Sequence, residues 1–252
     1  MRRILHHVLH FHPYKLQNVQ ELTAAHKALC IHCCQQMVHM HADLERFLIM
    51  SDEETFSLNG SVNKQNCRYW APTNPRQLHE RPLHSPQVVV WCDISAQGIT
   101  GPYFFEGDDG VSVTVNAKRY NHMLETFFLS EMRRRNWNMA TAWFQQDGAT
   151  AHTARLSMNT LRAAFAGRLL SRFGDIQWSS NSTELTAANF FRGVFESSSF
   201  THTLTDINSL KNAIRQEIAN VTQDTLRRVV ASVPRRWQQC LDCHGEHLQD
   251  VV

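Results

Sequence analysis

The order in which strand-like and helix-like segments follow one another constrains the fold of this chain more than any other sequence feature. Short apolar runs typical of buried strands come first, at residues 47–50 and 88–92. Helical and strand patterns then alternate from about residue 117, and helical patterns close the chain from Leu204 onward. Strands, then alternating elements, then helices predict an α/β fold in which a mixed sheet is flanked by helices, with a helical C-terminal tail.

Apolar spacing also predicts individual elements. A helix is expected over residues 16–40, although Thr23 and several histidines weaken its pattern. A hairpin is expected where residues 99–106 and 111–115 flank the Asp-Gly step of residues 107–110. The other predictions are a helix over 117–135, a strand over 141–146, a helix over 156–165, a strand at 169–170, a helix over 204–221 with Thr205 available as its cap, and a last helix from Thr222 that kinks or restarts at Pro234.

Composition excludes several classes of protein. With 252 residues, 42% of them hydrophobic, the chain can bury a full core, and 19% charged residues do not suit a disordered chain. A net charge of +2 permits a nucleic-acid partner without arguing for one. The apolar runs are too short to span a bilayer, and histidines interrupt any signal-peptide core at the start. Seven cysteines suit a reducing compartment, so the chain is expected to be intracellular.

Two acidic residues stand at or near the ends of predicted strands. Asp52 follows the apolar run at 48–50, and Asp147 follows the run at 142–146. Acids at strand ends of one sheet can converge, and carboxylate oxygens are the ligands that Mg²⁺ prefers. Two such ions can activate an attacking water or hydroxyl and stabilise the leaving oxygen of a phosphodiester. That chemistry typically needs a third or fourth carboxylate, so this pair alone does not establish it.

Structural interpretations of the same residues are open. Residues 51–54 also fit a helix capping box, with Ser51 as the cap and Glu54 reaching back. Asp147 and Gly148 form an ordinary turn pair. Residues 107–110 superficially match an acidic turn of polymerases, but a hairpin tip explains them.

Several separate blocks resemble the mariner-type transposases, in the order in which that family has them. Residues 145–153 (Gln-Gln-Asp-Gly-Ala-Thr-Ala-His-Thr) are similar to the block of the second catalytic acid, which is the most specific of all. Residues 51–56 (Ser-Asp-Glu-Glu-Thr-Phe) resemble the block of the first acid. The blocks at 63–70, 82–84, 88–92 and 98–105 look like the sheet that follows it.

The resemblance covers nearly the whole chain and implies an RNase H-like fold. In that family three acids bind two Mg²⁺ or Mn²⁺ ions, which cut and rejoin DNA ends. By this resemblance Asp52 and Asp147 are the first two catalytic acids and metal ligands. The implied domains are 1–15, a remnant of a helix-turn-helix DNA-binding region and linker; 16–46, a helical lead-in; 47–200, the RNase H-like catalytic domain; and 201–252, a helical C-terminal extension.

The third acid is where the sequence departs from the family. The family shows a Trp-Pro-Pro stretch, an acid-Leu-Thr-Pro stretch and then the catalytic acid with two aromatics. Here both tandem prolines are serine, the later proline is Ala187, and the acid is Asn189. An asparagine offers a neutral carbonyl oxygen and loses the full charge, so metal binding and catalysis are expected to weaken. Glu184 and Glu196 do not match the position, and rescue by Glu184 is not expected.

The resemblance also bears on partners. Arg2, Arg3 and Lys15 lie in a segment that looks like the end of the family's second helix-turn-helix and linker, and they are expected to contact DNA. His152 is expected to contact a scissile phosphate or to serve a structural role at a helix start. The rest of the recognition region is missing, so the chain is expected to be truncated and not to recognise particular transposon ends. The resemblance implies nuclear location and DNA backbone contacts, and allows a homodimer; no membrane or small-molecule substrate is expected.

Cysteine and histidine clusters allow a zinc interpretation. Cys30 and Cys33, with His32 and Cys34 beside them, form one cluster. The second contains Cys240, Cys243, His244 and His247. A structural zinc site needs four convergent ligands, and both clusters lie on predicted helices, so ordinary core or surface cysteines are favoured.

Three functions therefore stay open beside zinc binding. The first is a transposase-derived domain that binds DNA and is catalytically impaired. The second is a non-enzymatic interaction or dimerisation module whose helical tail presents an apolar stripe. The third is a decayed remnant of an element without a selected function.

Overall fold

A mixed six-stranded sheet organises the chain in the computed structural model, which describes residues 21–40, 44–58, 86–179, 185–187, 204 and 206–248. The strands are β1 (Leu48–Ser57), β2 (Gln87–Ser95), β3 (Gly98–Phe104), β4 (Trp143–Gln145), β5 (Leu169–Ser171) and β6 (Ile176–Gln177). Their order is β3-β2-β1-β4-β5-β6. The first three pair antiparallel, whereas β4 runs parallel to β1, and β5 and β6 continue in parallel. This confirms the predicted mixed sheet.

Helices cover both faces of this sheet. They are α1 (Ala24–Met40), α2 (Ala117–Met123), α3 (Leu129–Arg134), α4 (Thr150–Thr153), α5 (Arg155–Ala164), α6 (Ile207–Asn220), α7 (Gln223–Ala231) and α8 (Val233–Asp242), with a π-helical stretch at Leu124–Phe128 and a 3₁₀ turn at Leu44–Arg46. One core lies between the sheet and α1, α6, α7 and α8. The second lies under α2, the π-helical stretch, α3 and α5.

Strand β1 lies inside the sheet because its first half is apolar on both faces. Leu48 and Met50 enter the core under α1, and Ile49 enters the opposite core. Side chains alternate along a strand, so Asp52 shares the face of Met50 and Glu53 shares the face of Ile49. The strand continues through Ser57, and the capping-box interpretation of residues 51–54 is therefore wrong.

Helix α1 begins later than its apolar pattern predicts. Within the described residues it starts at Ala24, and residues 16–20 lie outside them. Thr23 does not weaken the helix but begins it, since its Oγ1 accepts a hydrogen bond from the backbone N–H of His26 at 3.3 Å.

The predicted hairpin at residues 107–110 forms only partly. Gly110 N–H donates to the carbonyl of Gly107 at 2.9 Å, which closes the turn. The predicted strand over 111–115 is reduced to one isolated bridge between Glu106 and Ser112. Strand β6 was not predicted, because its two residues give no periodic signal.

The three C-terminal helices are part of the main core. Asp206 caps α6 by accepting a hydrogen bond from Ser209 N–H at 2.9 Å, while Thr205 lies outside the described residues. The predicted last helix begins where expected, with Thr222 as the cap of α7, and the chain restarts as α8 with Pro234 in its first turn. The apolar stripe of this tail is buried within the chain, so it is not the exposed partner surface that the second functional hypothesis assumed.

The two cysteine clusters meet in the same core. Cys30, Cys33 and Cys34 on α1 and Cys240 on α8 are all buried, and α1 packs against α8. Burial raises the pKa of the Cys33 thiol to about 12, which keeps it protonated. Within the described ranges no group of three or more His, Cys, Asp or Glu side chains is arranged to hold a metal. No described helix is long and apolar enough to cross a membrane.

Candidate active site

The two predicted acids lie on neighbouring parallel strands. Met50 of β1 pairs with Gln145 of β4, and each predicted acid stands two residues further along its own segment. Neighbouring strands are separated by about 4.8 Å, so this register brings Asp52 and Asp147 close together at the end of β4, in the centre of the sheet. The structure thus brings together two residues separated by most of the catalytic region in sequence.

Asp52 lies within β1 in a partly buried, strongly negative environment. Its Oδ1 accepts a hydrogen bond from the backbone N–H of Glu53 at 2.9 Å. Burial raises the pKa of Asp52 to about 7, and the negative charges of Glu53 and Asp147 add to this effect. A carboxylate held in this way is stabilised by a nearby cation.

Asp147 follows the end of β4 and is held by its own turn. The backbone N–H of Ala149 donates to Asp147 Oδ1 at 2.9 Å, and His152 Nδ1 contacts the same oxygen at 2.5 Å. Burial opposes ionisation, but these two hydrogen bonds and the charge of His152 hold the pKa of Asp147 below its ordinary value. Near pH 7, Asp147 is therefore ionised, whereas Asp52 is only partly ionised.

His152 bridges two carboxylates from different elements. It lies in the short helix α4 and is only 3% exposed. Its Nε2 lies 2.9 Å from Oε1 of Glu53 on β1. Its ring also packs on Tyr120, with ring centroids 4.2 Å apart. Burial lowers the pKa of His152, but the charge of Glu53 and the hydrogen bonds to Asp147 and Glu53 outweigh it and raise the pKa to about 10.

Buried polar side chains support this arrangement from below. Gln146, fully buried, donates from Nε2 to the carbonyl of His152 at 3.1 Å and to Ser171 Oγ at 3.0 Å. Tyr120 donates its hydroxyl to Gln146 Oε1 at 2.8 Å. Ser51 Oγ donates to the carbonyl of Gln145 at 3.0 Å and so ties β1 to β4. These bonds fix the positions from which the acids project.

Residues 185–187 are anchored beside the same two strands. Thr186 Oγ1 donates to Gln145 Oε1 at 3.2 Å, and Ala187 N–H contacts Met50 Sδ at 3.4 Å. From α8, Arg236 donates to the carbonyl of Thr186 at 2.9 Å. A third chain segment thus meets β1 and β4 where they pair, just before Asp52 and Asp147.

Several predicted site residues lie outside the described residues. They are Asn189, Arg2, Arg3 and Lys15. His152 is described, and in this arrangement both ring nitrogens face carboxylates, so contact with a phosphate would require the ring to move. The part played by Glu53 was missed from the sequence. Its alternation with Asp52 along β1 was the only available signal, and it did not identify His152 as the partner.

The described donors fit a hard divalent cation in kind but not in number. Carboxylate oxygens suit Mg²⁺ or Mn²⁺, and a bound cation would offset the burial and the neighbouring negative charges that raise the pKa of Asp52. Within the described ranges no group of three such ligands is formed. Asp52 and Asp147 alone are therefore too few to hold such an ion.

Comparison with known proteins shows which fold this is. A scan against protein-family models finds no match, and neither does a search of curated proteins. Solved structures do match. A pre-cleavage Mos1 transpososome aligns with a TM-score of 0.79 at 16% identity over 98% of this chain and 71% of that chain. A Mos1 mariner paired end complex with Mn gives 0.74 at 18% identity over 98% and 75%.

The catalytic domain alone gives the same result. A structure of the Mos1 transposase catalytic domain and Raltegravir with Mg aligns with a TM-score of 0.68 at 17% identity, covering 91% of this chain and all of that one. At these identities the likeness shows the fold. It confirms, at that level, the resemblance to mariner transposases and the RNase H-like architecture expected from the sequence blocks.

Proposed function

We propose that this chain is a transposase-derived, DNA-binding domain whose divalent-metal site is formed by Asp52 and Asp147 and weakened by Asn189. The observation that carries the proposal is the parallel register that brings these two acids together in a fold shared with the Mos1 catalytic domain. The chain would be expected to retain contacts with DNA while cutting it slowly or not at all.

The roles of the residues follow from their positions. Bound divalent ions would activate an attacking water or hydroxyl and stabilise the leaving oxygen of a phosphodiester. Asp52 and Asp147 would hold them through anionic oxygens. Ser51 ties β1 to β4, and Gln146 bonds Ser171 of β5 and the carbonyl of His152, so that the acids need little rearrangement to bind.

The weakness of the site follows from the residue at its third position. The anchoring of Thr186 and Ala187 beside Gln145 and Met50 supports the assignment of Asn189, two residues later, to that position. An asparagine carbonyl neutralises less of the charge of a metal pair than a carboxylate does. Reduced metal affinity and reduced phosphoryl transfer are the expected results.

Binding to DNA is proposed through Arg2, Arg3 and Lys15. One similar structure is a Mos1 transposase paired-end complex with the left transposon end, and that is the reason for choosing DNA as the partner. A nuclear location and a homodimer are part of the same proposal. The interaction module and the decayed remnant remain predictions that no observation on the molecule favours.

Cleavage of a labelled DNA end in Mn²⁺ tests this function. We expect little cleavage by the unchanged chain and roughly a tenfold or greater gain from Asn189→Asp, because a carboxylate restores the missing charge. Asn181→Asp adds the same charge elsewhere in that segment and is the matched control. The gain should vanish when Asp147→Ala is combined with Asn189→Asp.

Two outcomes would contradict the proposal. Efficient cleavage by the unchanged chain, abolished by Asp147→Ala, would show that the site is not impaired. DNA affinity that does not fall as salt rises would argue against backbone contacts, since neutralising phosphates releases counterions.

A further inference from the structure

The contacts of Asp147 are confined to one of its two oxygens. Oδ1 accepts the hydrogen bond from Ala149 N–H and faces His152 Nδ1. Among the described residues, no hydrogen bond reaches Oδ2. The side chain is 45% exposed, whereas that of His152 is 4% exposed, so the carboxylate is held from its buried side and open on the other.

His152 is in turn held by groups on the far side of its ring. Its Nε2 faces Glu53 Oε1 at 2.9 Å, and Tyr120 stacks on the ring. A carboxylate only accepts hydrogen bonds, so both ring nitrogens donate, one to each acid. Glu53 lies on the face of β1 opposite Asp52 and therefore acts from behind the site.

We propose that His152, held by Glu53, is a positioning residue that fixes Asp147 so that Oδ2 is presented to a divalent metal ion. This inference rests on the proposed metal site. Carboxylate ligands of metals are commonly oriented by hydrogen bonds from behind, and loss of such a partner typically lowers metal affinity by about 10–100-fold.

The two nitrogens of the imidazole can be imitated separately. In His152→Asn the amide nitrogen occupies nearly the position of Nδ1, so the donor to Asp147 is kept and the contact with Glu53 is lost. In His152→Gln the amide nitrogen takes the position of Nε2, so the contact with Glu53 is kept and the donor to Asp147 is lost. A general loss of packing affects both variants alike.

The test is Mn²⁺ binding by the purified chain, measured by calorimetry or by electron paramagnetic resonance. We expect His152→Gln to raise the Kd for Mn²⁺ by about tenfold or more and His152→Asn to raise it much less. His122→Asn changes an exposed histidine and should leave the Kd unchanged. Circular dichroism establishes that each variant is folded at the temperature of the titration.

The outcomes separate this inference from the proposed function. If Asp147→Ala abolishes Mn²⁺ binding while His152→Asn and His152→Gln bind with the same Kd, the metal site stands and the positioning role is overturned. If Asp147→Ala binds Mn²⁺ with the same Kd as the unchanged chain, or the unchanged chain binds no Mn²⁺, the proposed metal site is wrong. The positioning role of His152 is then wrong as well.

Discussion

Surroundings separate the pKa of Asp147 from those of two other buried or half-buried acids, Asp52 and Asp93. Asp147 has a histidine and a backbone N–H at one oxygen, which hold its pKa down. Burial is the main cause that raises the pKa of Asp52 to about 7, and the acids near it add to the effect. Asp93 on β2 is almost fully buried, and burial raises its pKa to about 7 as well. The residue type alone therefore does not decide which acid can serve as an anionic ligand.

Asp93 is expected to make the stability of the chain depend on pH. Burial raises its pKa, partly offset by a hydrogen bond from Thr100 N–H at 3.2 Å, and no described residue bonds its Oδ2. Between about pH 4 and pH 7 the folded chain keeps a proton that the unfolded chain has lost. The free energy of unfolding therefore falls as pH rises through this window and is level above it.

The variant Asp93→Asn isolates this contribution. It keeps an acceptor for Thr100 and cannot ionise, so its stability relative to the unchanged chain should improve by roughly 2–4 kcal/mol between pH 5 and pH 8. Chemical denaturation at both pH values measures the difference. Asp108→Asn at the exposed hairpin turn is the control, and an equal pH effect in both variants would contradict the role assigned to burial.

At the level of elements, the end of α8 fixes its contact with α1. Gly245 has φ +76°, its N–H donates to the carbonyl of Cys240 at 2.8 Å, and a Cβ there would lie 2.6 Å from the carbonyl oxygen of Lys27. Only glycine combines this left-handed conformation with so close an approach of two backbones. The close contact between the end of α8 and α1 therefore depends on Gly245.

Gly245→Ala should consequently destabilise the chain more than the same change at Gly167. Gly167 has φ +73° but nothing within 4 Å of a Cβ, so Gly167→Ala carries only the conformational cost of roughly 1–2 kcal/mol. Gly245→Ala adds a clash that must separate α1 from α8. Thermal unfolding of both variants compares them, and equal losses would show that the contact with Lys27 is unimportant.

How far the sequence predicts the elements depends on how much local signal they carry. The apolar runs of β1 and β2, the start of α7 near Thr222 and the restart at Pro234 are predicted correctly because neighbouring residues determine them. Strand β6 has two residues and forms through pairing with β5, so its cause lies elsewhere in the chain. The contact of Glu53 with His152 likewise depends on the packing of α4 over β1, which local periodicity does not report.

On the scale of the whole molecule, the C-terminal helices complete the core that carries the site. Trp237 of α8 is 2% exposed, and Arg236 beside it bonds the segment that packs against β1 and β4. The sequence separates residues 201–252 as an extension, but the helices described there share their hydrophobic core with the sheet. Loss of packing in the C-terminal helices should therefore also disturb the positions of Asp52 and Asp147.

Trp237→Ala is expected to lower the free energy of unfolding by about 3–5 kcal/mol, because it leaves a large cavity. Trp237→Phe keeps most of the volume and removes an indole N–H that no described residue accepts, so it should cost far less. Circular dichroism and tryptophan fluorescence should report one common transition in both variants. A tail that unfolds separately from the sheet would contradict this account.

The pairing of β1 with β4 also has a consequence for the order of folding. Ser51 and Gln145 are 94 residues apart, so their contact closes a long loop, whereas β2 and β3 join through a short turn. Long loops lose more entropy on closure and form slowly. We expect the antiparallel pair of β2 and β3 to form first. Asp52 and Asp147 should come together only late, when β1 pairs with β4. Pulse-labelled hydrogen exchange that protects β4 before β2 would contradict this order.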